Sequence, residues 1–521
     1  MTKEFFCTKT APAVETTAGK VRGYRYDGIY NFMGIPYGTA KRFRAPEPVA
    51  PWEGYRDTTV PGFNCPSIGH SQAVDCFPHN FWLESEDCLN LNVWTPSLEE
   101  GARKPVVVWL HGGGFAYGSP LRQPAYEGSA LAQFGDVVLV SITSRLNIFG
   151  FLDLSAYGEE YKNSGNNGVA DLVLAMKWIR NNIARFGGDP ENVTICGQSG
   201  GGGKVVALLQ CPEADGTFRK AIIMSGVGFK SLLSIGTAEV PKAMLEALGK
   251  PQNDLTPLEQ LSTADLVRLY KSVLPGLKQR GINVSFGPVA NDYFDGLPSE
   301  QMPGFTFSRH AKDIPVVIGS TFTEMNLCAA LPDKYSMTEA EMLEVLRERY
   351  GEDTEMLVEL FRRSYPDKKI LDLGYLDGMV RKATYDFLDE RVRTCKAPTY
   401  VYIFTPEIQY NGGIPAWHSS DMAYLFHNVA ITPVANFEGA DRIEAQYAGM
   451  CVSFARNGDP NNEAFAETWH PYTADDHAVM RIDRTSSVSS DYDRELISIL
   501  MKKYAKVFAE NRLKRPSMVG I

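Results

Sequence analysis

The sequence lacks three features that would each assign its 521 residues to a broad class of protein. It has no apolar run of roughly 18 residues, the length that spans a bilayer, so no membrane partner is predicted. It has no cluster of about five Lys and Arg residues, and its net charge of −10 argues against nucleic-acid binding. Its nine cysteines include no CxxC pair. Because a cysteine-based zinc site needs closely spaced ligands, no metal site is predicted.

The composition predicts a folded globular protein. The chain is 44% apolar and 22% charged, whereas intrinsic disorder requires few apolar and many charged residues. Residues 1–8 lack the apolar core of a secretory signal. We therefore expect a cytoplasmic protein, unless a leader has been removed from it. The sequence leaves the oligomeric state open.

Short apolar and β-branched runs predict strands that are buried on both faces of a parallel sheet. These runs lie at 105–110, 136–141, 192–196, 221–225, 314–319 and 399–404. A segment with apolar residues at helical spacing, 171–183, separates the second run from the third. The strand–helix–strand order indicates a right-handed βαβ unit and an α/β fold.

Two segments with helical patterns interrupt the later strands, at about 236–280 and 337–396. The second contains Thr338 at a position suited to cap a helix N-terminus. No linker or low-complexity stretch divides the chain. The sequence therefore predicts a single domain, residues 1–521, with helical insertions around one sheet.

The pentapeptide Gly-Gln-Ser-Gly-Gly at 197–201 directly follows a predicted strand. It is the G-x-S-x-G pattern in its strand–turn–helix context, where the glycines allow a tight turn and the serine hydroxyl is presented at the end of the sheet. Ser199 is therefore the candidate nucleophile. A phosphate-binding loop is not indicated, because Lys204 is followed by Val205 instead of Ser or Thr.

A second glycine-rich segment, His-Gly-Gly-Gly-Phe at 111–115, also follows a predicted strand. Acyl transfer places negative charge on the carbonyl oxygen, and preorganised backbone N–H groups can stabilise it. Successive glycines leave the backbone free to approach that oxygen. The segment predicts N–H donors for an oxyanion, and His111 is interpreted as structural.

A histidine must serve as the base, and the sequence has eight. In this arrangement the chain order is serine, acid, histidine. His418 follows the predicted strand at 399–404 on a glycine-containing loop. His427 lies in an apolar helical pattern and is interpreted as packed, and His470 and His477 resemble surface packing. His418 is therefore the candidate base.

The acid is less well defined by spacing. Glu324 lies on the loop after the predicted strand at 314–319, where its carboxylate could orient the imidazole. Three aspartates compete with it on spacing alone: Asp292, Asp295 and Asp421.

Several longer blocks are typical of one enzyme family. They are Phe32–Tyr37, Arg42–Pro48, Ser85–Trp94, Ser144–Leu152, Gly165–Asp171, Phe186–Thr194, Asn457–Asn461 and Trp469–Tyr472. In these blocks, and around His111 and Ser199, the chain resembles the type-B carboxylesterase and cholinesterase-like family of α/β-hydrolases, over about residues 15–510. The resemblance implies the α/β-hydrolase fold: a large, mostly parallel central sheet with helices on both faces and helical insertions around an active-site gorge.

The resemblance also implies a serine carboxylesterase that acts through an acyl-enzyme intermediate on small-molecule esters, without a cofactor. The implied nucleophile is Ser199, and the implied oxyanion donors are the N–H groups of Gly113, Gly114 and Gly200. An amide or thioester hydrolase on the same residues is the alternative. A non-catalytic interaction domain is less expected, because such members lose the serine or the histidine.

The same resemblance identifies the remaining catalytic residues. Glu324 stands five residues after Gly319, which is the spacing of the family's acidic motif, although Met325 occupies a position that is usually glycine. His418 begins a His-x-x-Asp sequence that ends at Asp421 and matches the family's histidine motif. The resemblance therefore implies Glu324 and His418.

Two pairs in the chain resemble structural features of the family. Arg44 and Glu86 resemble its buried ion pair. Cys65 and Cys88 resemble its first disulfide, and formation of that bridge depends on the redox state of the compartment.

Substrate specificity is indicated by departures from the cholinesterases. These carry glutamate before the nucleophile where this chain has Gln198, and no choline-binding tryptophan can be placed, so a quaternary ammonium substrate is not expected. Three side chains beside the inferred catalytic groups predict an apolar pocket for aromatic or short aliphatic esters, with core packing as an equal alternative: Phe115, Met325 and Trp417.

Overall fold

A large mixed sheet forms the centre of the protein. The structure is a computed structural model that describes residues 4–69, 79–227, 233–296, 307–325, 331–409 and 412–513. Within these residues the main sheet has twelve strands. In chain order they are β1 (Phe5–Phe6), β2 (Tyr24–Tyr26), β3 (Ile29–Pro36), β4 (Asn90–Thr95), β5 (Lys104–Leu110), β6 (Val138–Ile142), β7 (Gly188–Gln198), β8 (Lys220–Met224), β9 (Val316–Thr321), β10 (Thr399–Phe404), β11 (Ala478–Ile482) and β12 (Ser487–Ser490).

The sheet is parallel through its middle and antiparallel at both edges. The spatial order is β1-β2-β3-β4-β6-β5-β7-β8-β9-β10-β11-β12. From β6 to β11 in this spatial order, which includes β5, neighbouring strands pair in parallel. The neighbours from β1 to β6 through β4, and the pair of β11 with β12, are antiparallel. The carboxyl ends of the parallel strands therefore meet at one edge, where the loops that follow them can share a site.

Smaller sheets lie outside the main one. One joins Ala13–Glu15, Lys20–Arg22 and Tyr55–Asp57, and two strand pairs are formed by Gly38–Thr39 with Glu47–Pro48 and by Glu407–Ile408 with Ile414–Pro415.

Helices cover both faces of the main sheet. The α-helices of the described residues are α1 (Ser129–Gly135), α2 (Asn147–Gly150), α3 (Asn167–Asn182), α4 (Gly200–Leu209), α5 (Glu239–Ala247), α6 (Thr256–Glu259), α7 (Thr263–Gln279), α8 (Glu339–Tyr350), α9 (Thr354–Ser364), α10 (Met379–Thr394), α11 (Met422–Leu425), α12 (Ala440–Asn457) and α13 (Arg494–Leu513). None of these helices is both long and apolar enough to cross a membrane. The predicted α/β fold with a large, mostly parallel sheet is confirmed.

Alternate residues of the central strand β5 enter different cores, as the two-residue period of a strand requires. Val106 and Val108 belong to the core that also contains residues of α3 and α4. Val107 and Trp109 belong to the core that contains residues of α1 and α12. Because both faces are buried, β5 is a continuous apolar run rather than an alternating one.

Both segments that were predicted as insertions are helical. The segment 236–280 contains α5, α6 and α7, and the segment 337–396 contains α8, α9 and α10. Thr338 caps α8 through a capping box with Glu341, as its position in the sequence indicates. The organisation of residues 1–521 as one domain stays a prediction.

The expected ion pair between Arg44 and Glu86 is wrong. Arg42 forms it instead, with its Nε 2.9 Å from the Glu86 carboxylate, while Arg44 pairs with Glu259 at 2.8 Å. Phe43 between the two arginines has a φ of 63°. This left-handed turn sends the flanking side chains to different partners, and sequence spacing does not reveal it.

Candidate active site

Ser199 stands at a strained turn between β7 and α4. Its φ of 59° and ψ of −127° lie outside the regions that side chains ordinarily adopt. The turn requires glycine around it, because a Cβ on Gly201 would lie 1.9 Å from the Leu110 carbonyl oxygen and one on Gly202 would lie 2.6 Å from the Gly226 Cα. The G-x-S-x-G pattern is thus a packing requirement as well as a sequence motif.

The glycine segment after β5 lies against this turn. Gly113 and Gly114 have φ values of 96° and 65°, which glycine adopts readily. A Cβ on Gly200 would lie 2.3 Å from the backbone N of Gly114, and one on Gly112 would lie 3.3 Å from the Ser199 Cβ. The start of α4, the serine and the glycine segment are therefore in direct contact.

The backbone N–H groups of Gly113, Gly114 and Gly200 have no acceptor within the described part of the chain. Gly200 is buried, where a backbone donor is almost always paired, and Gly113 and Gly114 are half-buried. Donors left available beside a serine on a strained turn are suited to receive a developing negative charge.

His418 and Glu324 form a close pair. The imidazole Nδ1 lies 2.5 Å from the Glu324 Oε2, and Glu324 is 1% exposed. The two residues lie on the loops that follow β10 and β9, which are adjacent parallel strands. The sheet topology therefore brings together an acid and a base that are far apart in the chain.

The surroundings of Glu324 favour its ionised form. Burial raises the pKa of this carboxyl group, but the adjacent His418 and hydrogen bonds from His418, Ser225 and Thr321 lower it further, so the net pKa is below the ordinary value. Ser225 Oγ and Thr321 N donate to Oε1 at 2.6 Å and 2.7 Å. The carboxylate is thus held with Oε2 directed at the imidazole.

This pairing fixes the tautomer of His418. Because the Glu324 carboxylate accepts at Nδ1, Nδ1 carries the proton and Nε2 presents a lone pair. The Gln198 Nε2 lies 3.2 Å from that lone pair, and Gln198 immediately precedes Ser199. An amide N–H is an uncharged donor, so it pairs with the unprotonated form of Nε2, which is the form that a general base requires.

The three competing aspartates make other contacts. The Asp292 side chain is 72% exposed and forms an ion pair with Lys162 at 3.2 Å. The backbone N–H of Asp295 donates to the Gln210 carbonyl oxygen. Asp421 is buried and accepts a hydrogen bond from Tyr447 at 2.7 Å. Burial, the largest cause, raises its pKa to about 7.

The other histidines lie elsewhere. His111 is buried, with Nδ1 2.8 Å from the Gly112 carbonyl oxygen, and burial followed by the charge of Lys204 holds its pKa well below the usual range. His427 stacks on Phe134 at 4.3 Å between ring centroids. Both positions agree with the structural roles that the sequence indicates.

The predicted pocket residues are mostly buried in the cores. Phe115 packs edge-on against Phe151 at 5.1 Å, Trp417 is 1% exposed, and Met325 is half-buried. Contact of these residues with substrate stays a prediction. Cys65 and Cys88 are buried free thiols, close enough that a hydrogen bond from Cys65 raises the pKa of Cys88, so their disulfide also stays a prediction.

Comparison with known proteins identifies the family. A model of the Carboxylesterase family matches residues 10–499. The chain belongs to the carboxylesterase family. Para-nitrobenzyl esterase of Bacillus subtilis is 31% identical over 497 residues, which are 93% of this chain and 98% of that protein.

Solved structures of carboxylesterases agree with this assignment. An esterase from the anaerobe Clostridium hathewayi, described as able to hydrolyse aliphatic aromatic polyesters, is 41% identical with a TM-score of 0.90 and covers 96% of this chain and 100% of its own. A carboxylesterase of Geobacillus stearothermophilus is 32% identical with a TM-score of 0.69 and covers 93% of this chain and 99% of its own. The protein is a carboxylic ester hydrolase.

Two residues of the candidate site, Gln198 and Lys204, receive no catalytic role from the sequence, which uses Gln198 only for the contrast with the cholinesterases. Gln198 contacts the imidazole of His418. Its position directly before Ser199 is the sequence feature that indicates a place in the site. Lys204 is buried in α4. A single lysine in a helix that otherwise consists of glycine and apolar residues is the sequence feature that could have indicated a special role.

Proposed function

We propose that Ser199, His418 and Glu324 form the catalytic triad of a serine carboxylesterase. The observation that carries the proposal is the 2.5 Å contact between His418 Nδ1 and Glu324 Oε2, beside a serine held at a strained turn. Glu324 orients the imidazole and stabilises the imidazolium that forms during the reaction.

Acylation begins when the Ser199 Oγ attacks the carbonyl carbon of the ester. His418 Nε2 takes the hydroxyl proton as the new C–O bond forms. The carbonyl oxygen becomes an oxyanion and accepts hydrogen bonds from the N–H groups of Gly113, Gly114 and Gly200. The bond to the alcohol oxygen then breaks, and the alcohol leaves with the proton from His418.

Deacylation repeats these steps with water. His418 takes a proton from water as its oxygen attacks the acyl carbon, and the same N–H donors hold the second oxyanion. The bond to Ser199 Oγ breaks, the serine regains its proton from His418, and the carboxylic acid is released.

The proposed substrates are aromatic or short aliphatic esters. The similarity to para-nitrobenzyl esterase and to an esterase described as able to hydrolyse aliphatic aromatic polyesters supports this class. Phe115, Met325 and Trp417 are proposed to line the acyl or alcohol pocket.

Covalent labelling with a fluorophosphonate tests the nucleophile. Wild-type protein should react once, with mass spectrometry locating the label on Ser199, and S199A should lose labelling together with more than about 10³-fold of kcat for p-nitrophenyl acetate. The matched control S272A removes an exposed serine hydroxyl from α7 and should change neither result. Label on another residue, or an active S199A, would contradict the proposal.

A matched substrate series separates ester hydrolysis from its alternatives. Ester, amide and thioester analogues with one acyl group should differ in kcat/KM, with the ester preferred. A higher kcat/KM for the amide or thioester would assign the same triad to that reaction.

A further inference from the structure

Lys204 is a buried lysine directly behind the glycine segment after β5. It is the fifth residue of α4, the helix that begins after Ser199, and it is 1% exposed. Lysine is almost never fully buried unless it is paired or functional. The mechanism above does not use it.

A hydrogen bond connects Lys204 to the site. Its Nζ donates to the His111 carbonyl oxygen at 3.0 Å, and His111 joins the end of β5 to Gly112, Gly113 and Gly114. The Nε2 of His111 is buried and has no hydrogen-bond partner among the described residues. Lys204 therefore ties the helix after Ser199 to the start of the proposed oxyanion loop.

No acidic side chain of the described residues compensates the charge of Lys204: burial and Cys65 are the influences on its pKa, and no carboxylate is among them. The titratable groups that face it are His111, at the end of β5, and Cys65, in the loop before β4. Burial lowers the pKa of Lys204 to about 7, and Cys65 has the smaller, opposite effect.

The ammonium group is close enough to act on the oxyanion. The Nζ–oxygen contact with His111 is 3.0 Å. Adding the covalent bond lengths from that oxygen along the backbone to the Gly113 N gives an upper limit of about 10 Å for the distance from Nζ to this nitrogen. At that separation, in a protein interior with an effective dielectric constant near 20, a unit charge changes the rate of forming an adjacent anion by about ten-fold.

We propose that Lys204 is a positioning residue for the oxyanion loop, which in its ammonium form holds the His111 carbonyl and places a positive charge behind the Gly113 and Gly114 N–H donors. The inference rests on the proposed function, because it concerns the oxyanion of that mechanism. Lys204 does not touch the substrate and acts through the loop.

The proposal predicts the shape of the pH profile. Activity is expected to fall as the pH rises and Lys204 loses its proton. The fall is expected to end on a plateau about ten-fold lower rather than at zero, because the N–H donors and the triad remain in place. Loss of an obligatory group would instead abolish activity.

The test compares kcat/KM for p-nitrophenyl acetate in wild type and K204M between pH 5.5 and 9.5, normalised to sites that react with a fluorophosphonate. The wild-type to K204M ratio should be about ten-fold larger at pH 6 than at pH 9. K204Q keeps a donor for the His111 carbonyl without the charge. It should lack the pH-dependent decline, as K204M does, but retain more activity than K204M at pH 9, where only the hydrogen bond distinguishes the two variants.

A second buried lysine provides the control. Lys220 is 7% exposed, and burial lowers its pKa to about 8, but it begins β8 at the end of the sheet opposite to the site. K220M should keep the wild-type profile, because it removes a buried lysine without touching the oxyanion loop.

Each outcome decides one question. Two results would overturn the role of Lys204. One is a wild-type to K204M ratio of kcat/KM that does not change with pH, and the other is loss of the alkaline decline in K220M as well. A wild-type profile without a decline between pH 7 and 9 would overturn it without any variant, even if K204M and K204Q fail to fold. Wild-type protein that is not labelled at Ser199 would instead refute the proposed function.

Discussion

At the scale of single residues, Gln198 places an uncharged amide 3.2 Å from the nitrogen of His418 that must accept a proton. Gln198→Glu would place a carboxylate there, which favours the protonated imidazole. We expect the acid limb of the kcat/KM profile to move upward by about one pH unit, measured with p-nitrophenyl acetate.

Gln198→Met serves as the control for that change. It removes the hydrogen bond without adding charge, so the acid limb should stay within a few tenths of its wild-type position. An acid limb that moves equally in both variants would mean that packing, not charge, explains the effect.

Replacing each candidate acid in turn tests whether Glu324 or Asp421 is the acid of the triad. Glu324→Gln keeps the shape of the side chain but cannot hold the required tautomer, and kcat is expected to fall by about 10³–10⁴-fold. Asp421→Asn removes the neighbouring carboxylate, which bonds to Tyr447, and should leave kcat within about ten-fold of wild type. The reverse ranking would make Asp421 the acid.

The sequence reveals the residues of this site unequally. Ser199 and the glycines at 112–114 can be predicted directly, because the turn and the close approach of backbones admit few alternatives. Glu324 cannot be chosen over the three aspartates by spacing, since the choice depends on which loop follows the strand beside β10. The resemblance to the family resolved the choice, and the pairing of Glu324 with His418 agrees with it.

At the scale of secondary-structure elements, Arg42 joins the N-terminal region to the first helical insertion. Its Nη1 donates to the carbonyl oxygens of Leu258, Glu259 and Leu261 in the segment from α6 to α7. Arg42 also pairs with Glu86 before β4. One guanidinium thus satisfies carbonyl groups at a helix end and a carboxylate.

Arg42→Met should detach the insertion from this anchor. It leaves carbonyl groups unpaired and the half-buried Glu86 carboxylate without its cationic partner, so we expect the free energy of unfolding in urea to fall by about 2 kcal/mol. Arg268→Met removes an exposed arginine that pairs within α7 and should change it by less than about 0.5 kcal/mol. Equal effects would contradict the anchoring role.

The elements themselves are predictable where burial dictates the pattern. All six predicted strands are found, because both faces of the parallel strands are covered and the runs are continuously apolar. The edge strands β1 and β2 are not predicted, since they are short and partly exposed. Long-range pairing, not local composition, makes such segments extended.

At the scale of the whole molecule, buried Lys204 connects stability to pH. Its folded pKa of about 7 lies below that of an unfolded lysine, about 10.4. Between these values the unfolded chain binds the proton and the folded protein does not, so the contribution to stability increases with pH. Below pH 7 both states are charged and the burial is unfavourable.

The matching experiment measures the free energy of unfolding of wild type and K204M at pH 6, 8 and 9.5. The difference, wild type minus K204M, should increase with pH by up to about 4 kcal/mol. Other titrating groups are common to both proteins and cancel in this difference. A difference that does not vary with pH would show that Lys204 is charged, or neutral, throughout the range.

The order of strands in the sheet has a consequence for how the protein folds. Gln198 and His418 are in contact across 220 residues of chain, and the proposed triad is complete only after β7, β8, β9 and β10 have paired in parallel. Such non-local pairings form slowly, because the chain loses entropy before the contacts compensate for it. An early intermediate could hold the Ser199 turn yet lack the base, so the appearance of esterase activity would report the last long-range step of folding.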